Sequence, residues 1–196
     1  VIHPEATTEE ERISGIPLGP GFGAEYKWRG ITALNGRLYC CPHDAAELLV
    51  INLEAITEDN RSNLIPLGRA GKSKWRGIAA LNGRLYCAPY SATEVLVIDP
   101  EAPAEKERVS FIQTGRPGAS KWCGIAAMNG RLYRAPFSAT EVLVIHPEKE
   151  CINLMAIGPG GEDGGKWEGI SALNGLASSR LALEARRGAS GMALWP

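Results

Sequence analysis

The chain carries 196 residues, with 21 basic side chains against 22 acidic ones and a formal charge of −1, so no broad electrostatic field would recruit nucleic acid or an anionic membrane surface. Glycine is high, 23 of 196, against about 7% in ordinary proteins, and it sits between apolar runs rather than in a low-complexity tract. No apolar run approaches the roughly 18 residues that span a bilayer.

In chain order, the first five residues, Val1-Ile2-His3-Pro4-Glu5, recur identically as Val144-Ile145-His146-Pro147-Glu148. They are expected to form the end of a strand inside a repeat, with earlier strands upstream. A lone strand is expected next, near Arg12 to Leu18. Then Lys-Trp-x-Gly-Ile-x-Ala-(Leu/Met)-Asn-Gly appears four times, at Trp28, Trp75, Trp122 and Trp167, in steps of 47, 47 and 45 residues.

The middle repeat shows what each one does. Trp75-Arg-Gly-Ile-Ala-Ala-Leu81 is a short strand that stops at Asn82-Gly83, the strongest short hairpin signal because both residues tolerate positive φ. Arg84 to Ala88 returns as a second strand, ended by Pro89. Glu94-Val-Leu-Val-Ile98 is apolar at consecutive positions, which predicts burial on both faces. A charged, variable loop leads to a fourth strand over Arg108 to Thr114 and a Gly-rich return to Lys121-Trp122. No segment holds a 3.6-residue apolar stripe before Gly or Pro interrupts it.

A four-stranded unit every 47 residues is the length of one blade of a β-propeller. The fold class predicted is therefore all-β, a propeller of four-stranded antiparallel blades. The chain is expected to hold an incomplete set: a partial blade over 1–27, full blades over 28–74, 75–121 and 122–166, and a partial blade over 167–175. After Gly175 the Arg-Leu-Tyr of the second strand is replaced by a stretch rich in helix formers that Gly188 stops. Residues 176–196 are thus expected to be an atypical tail, helical or disordered. The open strand edges of such a fragment expose unpaired N–H and C=O groups, so self-association through them is expected.

The blade resembles the kelch repeat. In both, an apolar strand ends in Asn-Gly, a second strand has a central Tyr (Tyr39, Tyr86, Tyr133), and an apolar third strand ends in Asp/His-Pro. The likeness covers residues 1–175. Cys41-Pro42, Ala88-Pro89 and Ala135-Pro136 stand where kelch repeats carry Gly-Gly, and Trp opens the first strand instead of lying in the fourth. The chain is more similar to the Lys-Trp-x-Gly propeller-type arrays of microbial eukaryotes, a likeness that implies a propeller and no particular activity. The kelch resemblance implies a scaffold that binds a protein partner.

In a propeller the link into each first strand and the link between second and third strands open on one face. That face gathers Lys27-Trp28, Lys74-Trp75, Lys121-Trp122 and Lys166-Trp167, together with His43, Tyr90 and Phe137. One reading is a ring of cations and aromatics for an anion or a peptide. The other makes each Trp a wedge between blades, with each Lys lying over it and its charge in water. Catalysis has little support: His43 aligns with Tyr90 and Phe137, and no nucleophile, metal-ligand cluster or cofactor motif stands out. Lys74 to Glu101 and Lys121 to Glu148 match at 23 of 28 positions, whereas an active site needs one residue per role.

Three of the five cysteines align with Arg or Glu in other repeats: Cys40 and Cys87 with Arg134, and Cys123 with Arg29, Arg76 and Glu168. They are therefore read as free thiols, with a lean toward the cytoplasm. The function expected is a non-enzymatic interaction scaffold; the alternative is an enzyme or small-anion binder with its site at the channel mouth.

Overall fold

The computed structural model describes residues 8, 26–57, 60–157, 167–174 and 179–185. Three four-stranded antiparallel sheets follow one another: β1 (Trp28–Leu34) to β4 (Ser62–Pro66), β5 (Trp75–Leu81) to β8 (Val109–Gln113), and β9 (Trp122–Met128) to β12 (Cys151–Ala156). Within each, the intervening strands are β2 (Arg37–Pro42) and β3 (Glu47–Asn52), β6 (Arg84–Pro89) and β7 (Glu94–Ile98), and β10 (Arg131–Pro136) and β11 (Glu141–His146). Each sheet pairs its strands in chain order, as a meander. The chain is an incomplete β-propeller with three full blades.

The hairpins fall where the dipeptides place them. Asn35-Gly36, Asn82-Gly83 and Asn129-Gly130 all have positive φ at both residues, the backbone that lets a two-residue turn follow the twist of its flanking strands. The closing pairs are Leu34↔Arg37, Leu81↔Arg84 and Met128↔Arg131.

Blade stacking follows from the unbroken apolar third strand. Leu96 and Ile98 of β7 join one buried cluster with Tyr39, Leu48 and Val50 of the preceding blade. Val95 and Val97 join another with Trp122, Leu132 and Leu143 of the following one. Strand alternation sends successive side chains to opposite faces, so a strand between two blades is apolar throughout.

The first strands line the axis, and each carries a bulge. Between Trp28↔Pro42 and Ile31↔Cys40 the first strand has one residue more than its partner, and the second blade repeats this between Trp75 and Ile78. Gly30, Gly77 and Gly124 lie in these bulges at φ of 90°, 90° and 64°. They also let neighbouring blades touch backbone to backbone. A Cβ on Gly30 would lie 3.0 Å from the Gly77 Cα, and one on Gly124 would lie 3.1 Å from the Gly169 Cα.

The end of the chain corrects one expectation. The stretch after Gly175 was expected to be helical or disordered, yet Ser179–Ala185 forms a strand, β14, paired antiparallel with β13 (Trp167–Asn174) from Asn174↔Ser179 to Trp167↔Ala185. Ala, Leu, Glu and Arg favour a helix only weakly, and an unpaired β13 edge offers seven residues a full ladder instead. Ile170 and Trp167 of β13 pack on Ala126 and Ala135 of the third blade, so the first strand of a fourth unit is in place. The strand expected near Arg12 to Leu18 lies outside the described residues.

The axial glycines give a paired test. Gly124→Ala and Gly130→Ala both force a left-handed backbone on a side chain, costing about 1 kcal/mol. Only at Gly124 does the new Cβ also meet backbone, whereas at Gly130 it meets nothing within 4 Å. Urea melts should therefore show Gly124→Ala losing about 1–3 kcal/mol more than Gly130→Ala; equal losses would mean the blades are not in backbone contact there.

Candidate functional site at the channel mouth

A continuous backbone relay crosses the three blades at the Trp end of the strands. His43 N–H donates to Lys27 O (2.8 Å), and His43 O accepts from Lys74 N–H (2.9 Å). Lys74 O accepts from Tyr90 N–H (2.9 Å), Tyr90 O from Lys121 N–H (3.2 Å), and Lys121 O from Phe137 N–H (2.8 Å). The repeat thus brings Lys27, His43, Lys74, Tyr90, Lys121 and Phe137 into one girdle around the axis. The residue before each lysine, Tyr26, Ser73 or Ser120, is left-handed, which turns the chain from the Gly-rich return into the first strand.

Trp75 and Trp122 are each 1% exposed. Their indole N–H groups donate to Glu94 O and Glu141 O, both at 2.8 Å. Trp75 packs against Tyr39, Leu48, Ile65 and Leu67 of the blade before it, and stacks on Phe111 with ring centroids 6.3 Å apart. The first blade's Trp28 and the fourth unit's Trp167 are half-buried.

The lysines differ from both expectations, since Lys74 and Lys121 are neither in water nor open to a ligand. They are 6% and 7% exposed. The Lys74 Nζ lies 5.8 Å from the Trp75 ring centre and donates to Ala45 O (2.8 Å), Gly71 O (2.7 Å) and His43 O (3.3 Å). Lys121 repeats this over Trp122, donating to Gly118 O and Ala92 O. Burial lowers both ammonium pKa values. Three loop carbonyls take the place of water around Lys74, and two around Lys121. Lys27 keeps the geometry over Trp28 at 5.7 Å and is half-buried. Lys166 lies outside the described residues.

His43, Tyr90 and Phe137 form a row across three blades, with centroid steps of 5.7 and 6.2 Å. His43 is 5% exposed, and its Nδ1 lies 2.9 Å from Trp75 O. Desolvation lowers its pKa, and the nearby Arg29 and Arg76 add to this, so the ring is held neutral. Tyr90 and Phe137 are half-exposed. The Arg29 guanidinium covers the Tyr26 ring at 4.9 Å, and that of Arg76 covers Tyr90 at 5.6 Å.

These two arginines, missed as candidates in the sequence, occupy the position before the bulge glycine. In the other units Cys123 and Glu168 stand there. The signal was in the repeat alignment, which served only to judge the cysteines. A bulge re-aims the side chain beside it, and here that side chain changes from blade to blade.

Arg134 was missed as well. It is fully buried, with Nε donating to Gly124 O at 3.0 Å and its other nitrogens to Pro89 O and Arg76 O. Burial brings its pKa down to about 9. It stands where the first two blades have Cys40 and Cys87, while Cys123 stands where they have Arg29 and Arg76. Arginine and thiol have traded strands in the third blade, and the guanidinium now braces the backbone of Arg76. All five cysteines are free. Burial pushes the Cys40 thiol up to about 11 and raises Cys87 well above its ordinary value, so neither is an activated nucleophile.

Among the described residues no group of three His, Cys, Asp or Glu could hold a metal ion, and no helix is long and apolar enough to cross a membrane. A second concavity of about 450 Å³ lies at the opposite, Asn-Gly end, lined by Asn82, Arg84, Asp99, Glu101 and Glu148 among others.

No sequence-family profile and no curated protein matches the chain. Solved structures do. The chain is similar to a streptogramin B lyase at 15% identity and a TM-score of 0.61, covering 81% of this chain and 48% of that one. It is also similar to the RRP9 WD40 repeats, at 13% identity and a TM-score of 0.55 over 82% and 46% of the two chains. A chain of a nidogen/laminin complex matches at 9% identity and a TM-score of 0.55, over 80% and 54%. The chain spans about half the length of each. At these identities the likeness shows the propeller fold, and kelch repeats in particular are not singled out.

Two measurements test the placement of these groups. Trp75→Ala should cost about 3–5 kcal/mol in chemical unfolding; a loss below about 1 would mean that the ring is not an interblade wedge. The folded pKa of His43 lies below the 6.5 of the free group. As pH falls through 6.5, the unfolded chain takes up this proton first, so the fold loses stability until the folded value is reached. His43→Phe, which copies the Phe137 slot, should flatten that part of the stability–pH curve; an unchanged slope would remove His43 as its source.

Proposed function

We propose that the chain belongs to a non-enzymatic interaction propeller whose loop face, around the channel mouth, docks a protein partner. The observation that carries this reading is the set of half-exposed side chains on the girdle. Arg29 lies on Tyr26, Arg76 on Tyr90, and Phe137 beside Tyr90. Tyr and Arg are the residue types that dominate binding energy at protein interfaces, and rigid rings lose little entropy when covered. The groups behind them are internally committed: Lys74 and Lys121 to loop carbonyls, and His43 to Trp75 O.

The likeness to a lyase and to a member of a protein complex supports the fold for both classes of function, and a fold alone chooses neither. A second reading, an enzyme or small-anion binder at the same mouth, draws on the changing slot Arg29, Arg76, Cys123, Glu168, since asymmetry is what an active site requires. A displayed random-peptide library panned against the chain tests the first reading. Enriched peptides should bind Tyr90→Ala/Phe137→Ala at least about tenfold more weakly, with an unchanged thermal melt. Peptides indifferent to those two positions, or no enrichment at all, would overturn it.

A further inference from the structure

Resting on that docking face, we propose that the docked segment is an extended acidic peptide whose carboxylates sit on Arg29 and Arg76 while its apolar side chains lie along Tyr90 and Phe137. Arg29 and Arg76 occupy equivalent places on adjacent axial strands, immediately before Gly30 and Gly77, whose backbones touch. Each guanidinium carbon lies over a tyrosine ring, 4.9 and 5.6 Å from the ring centre. A guanidinium resting on a ring carries its N–H donors at its edge, the fork that takes a carboxylate through two parallel hydrogen bonds.

The charge around the mouth favours an anion. Lys74, Lys121 and Arg134 are buried cations that donate to backbone carbonyls. Carbonyl dipoles stabilise a charge without cancelling it. The carboxylates near this end are Asp44 and Glu47, which act on Lys74, Glu94 and Glu141, which pair with Arg69 and Arg116, and Glu168 in the axial slot. Asp44 is also engaged, accepting the Ser73 N–H at 2.6 Å. Arg29 and Arg76 add two cations that enter none of these pairs. The three ion pairs found among the described residues, Arg69–Glu94, Arg84–Asp99 and Arg116–Glu141, use none of the five mouth cations.

The aromatic row sets the form of the ligand. Its half-exposed step, Tyr90 to Phe137 at 6.2 Å, lies close to the roughly 6.6 Å that separates every second side chain of an extended peptide. Alternating acidic and apolar residues would therefore place one set on the arginines and the other along the rings. A free dicarboxylic acid shares the anion chemistry but has nothing to lay on the row.

The test is fluorescence anisotropy on the 196-residue chain with a labelled octapeptide of alternating glutamate and leucine. Its glutamine–leucine isostere and free glutarate complete the set. The glutamate peptide should bind, weaken as sodium chloride is raised, and exceed the isostere by at least about tenfold. Arg29→Gln/Arg76→Gln, checked by circular dichroism for an unchanged fold, should remove that preference, and glutarate should compete only weakly. Equal binding of the isostere, with sensitivity to Tyr90→Ala, would overturn the acidic class and leave the docking face standing. Binding that ignores both the arginines and Tyr90, or no binding of either peptide, would overturn this inference. Glutarate binding as tightly as the peptide would transfer the site to small acids.

Discussion

The interblade contact rests on a tryptophan wedge sealed by a buried lysine. Trp75 and Trp122 fill the seam between blades, and their N–H groups are tied to the third strand of their own blade. Above each ring an ammonium collects the loop carbonyls of the blade before it: Lys74 reaches Ala45 and His43 of the first blade and Gly71 of the return. Burying a charge in this way is tolerable because carbonyl oxygens replace its water shell. The loop carbonyls of Ala45 and Gly71 gain a donor in this way, and that of His43 a second one. Ring, cation and loops are therefore one unit, and it recurs every 47 residues because every seam needs it.

This unit consumes the residues that look most functional in the repeat. What it leaves uncommitted is the residue that the bulge pushes out of register. A regular first strand would point Arg29 and Arg76 into a pleat; the extra residue at Gly30 and Gly77 breaks the alternation and re-aims them. The same glycines bring adjacent strands into backbone contact. One structural device thus crowds the axis and exposes a variable side chain beside it. In the third blade the exchange of Arg and Cys moves the guanidinium from the exposed slot into the seam, where Arg134 holds the backbone of Arg76. The mouth is consequently asymmetric in an otherwise uniform stack.

Among propellers, activity and binding alike are grafted onto the same stack of sheets, as a lyase and a member of a nidogen/laminin complex on one fold illustrate. In this chain the groups that look most reactive are internally engaged. Desolvation raises the Cys40 and Cys87 thiol pKa values and lowers that of the hydrogen-bonded His43, and Lys74 and Lys121 are capped by carbonyls. Stacked arginines and rings are what face outward.

The 47-residue period, the Asn-Gly turns and the unbroken apolar run Glu94-Val-Leu-Val-Ile98 were enough to determine three antiparallel blades and their seams, because each is a local rule repeated identically. Only the tertiary structure decided the rest. Ser179–Ala185 carries helix-forming residues, but the free edge of β13 outweighs a propensity of a few tenths of a kcal/mol per residue. The repeat grouped Lys with Trp without revealing that the ammonium is buried, since that depends on where loops of neighbouring blades put their carbonyls. It likewise aligned Arg29, Arg76, Cys123 and Glu168 without showing that the two arginines are half-exposed while Cys123 is buried. A bulge is a property of strand pairing, and pairing partners lie outside the motif that contains the residue.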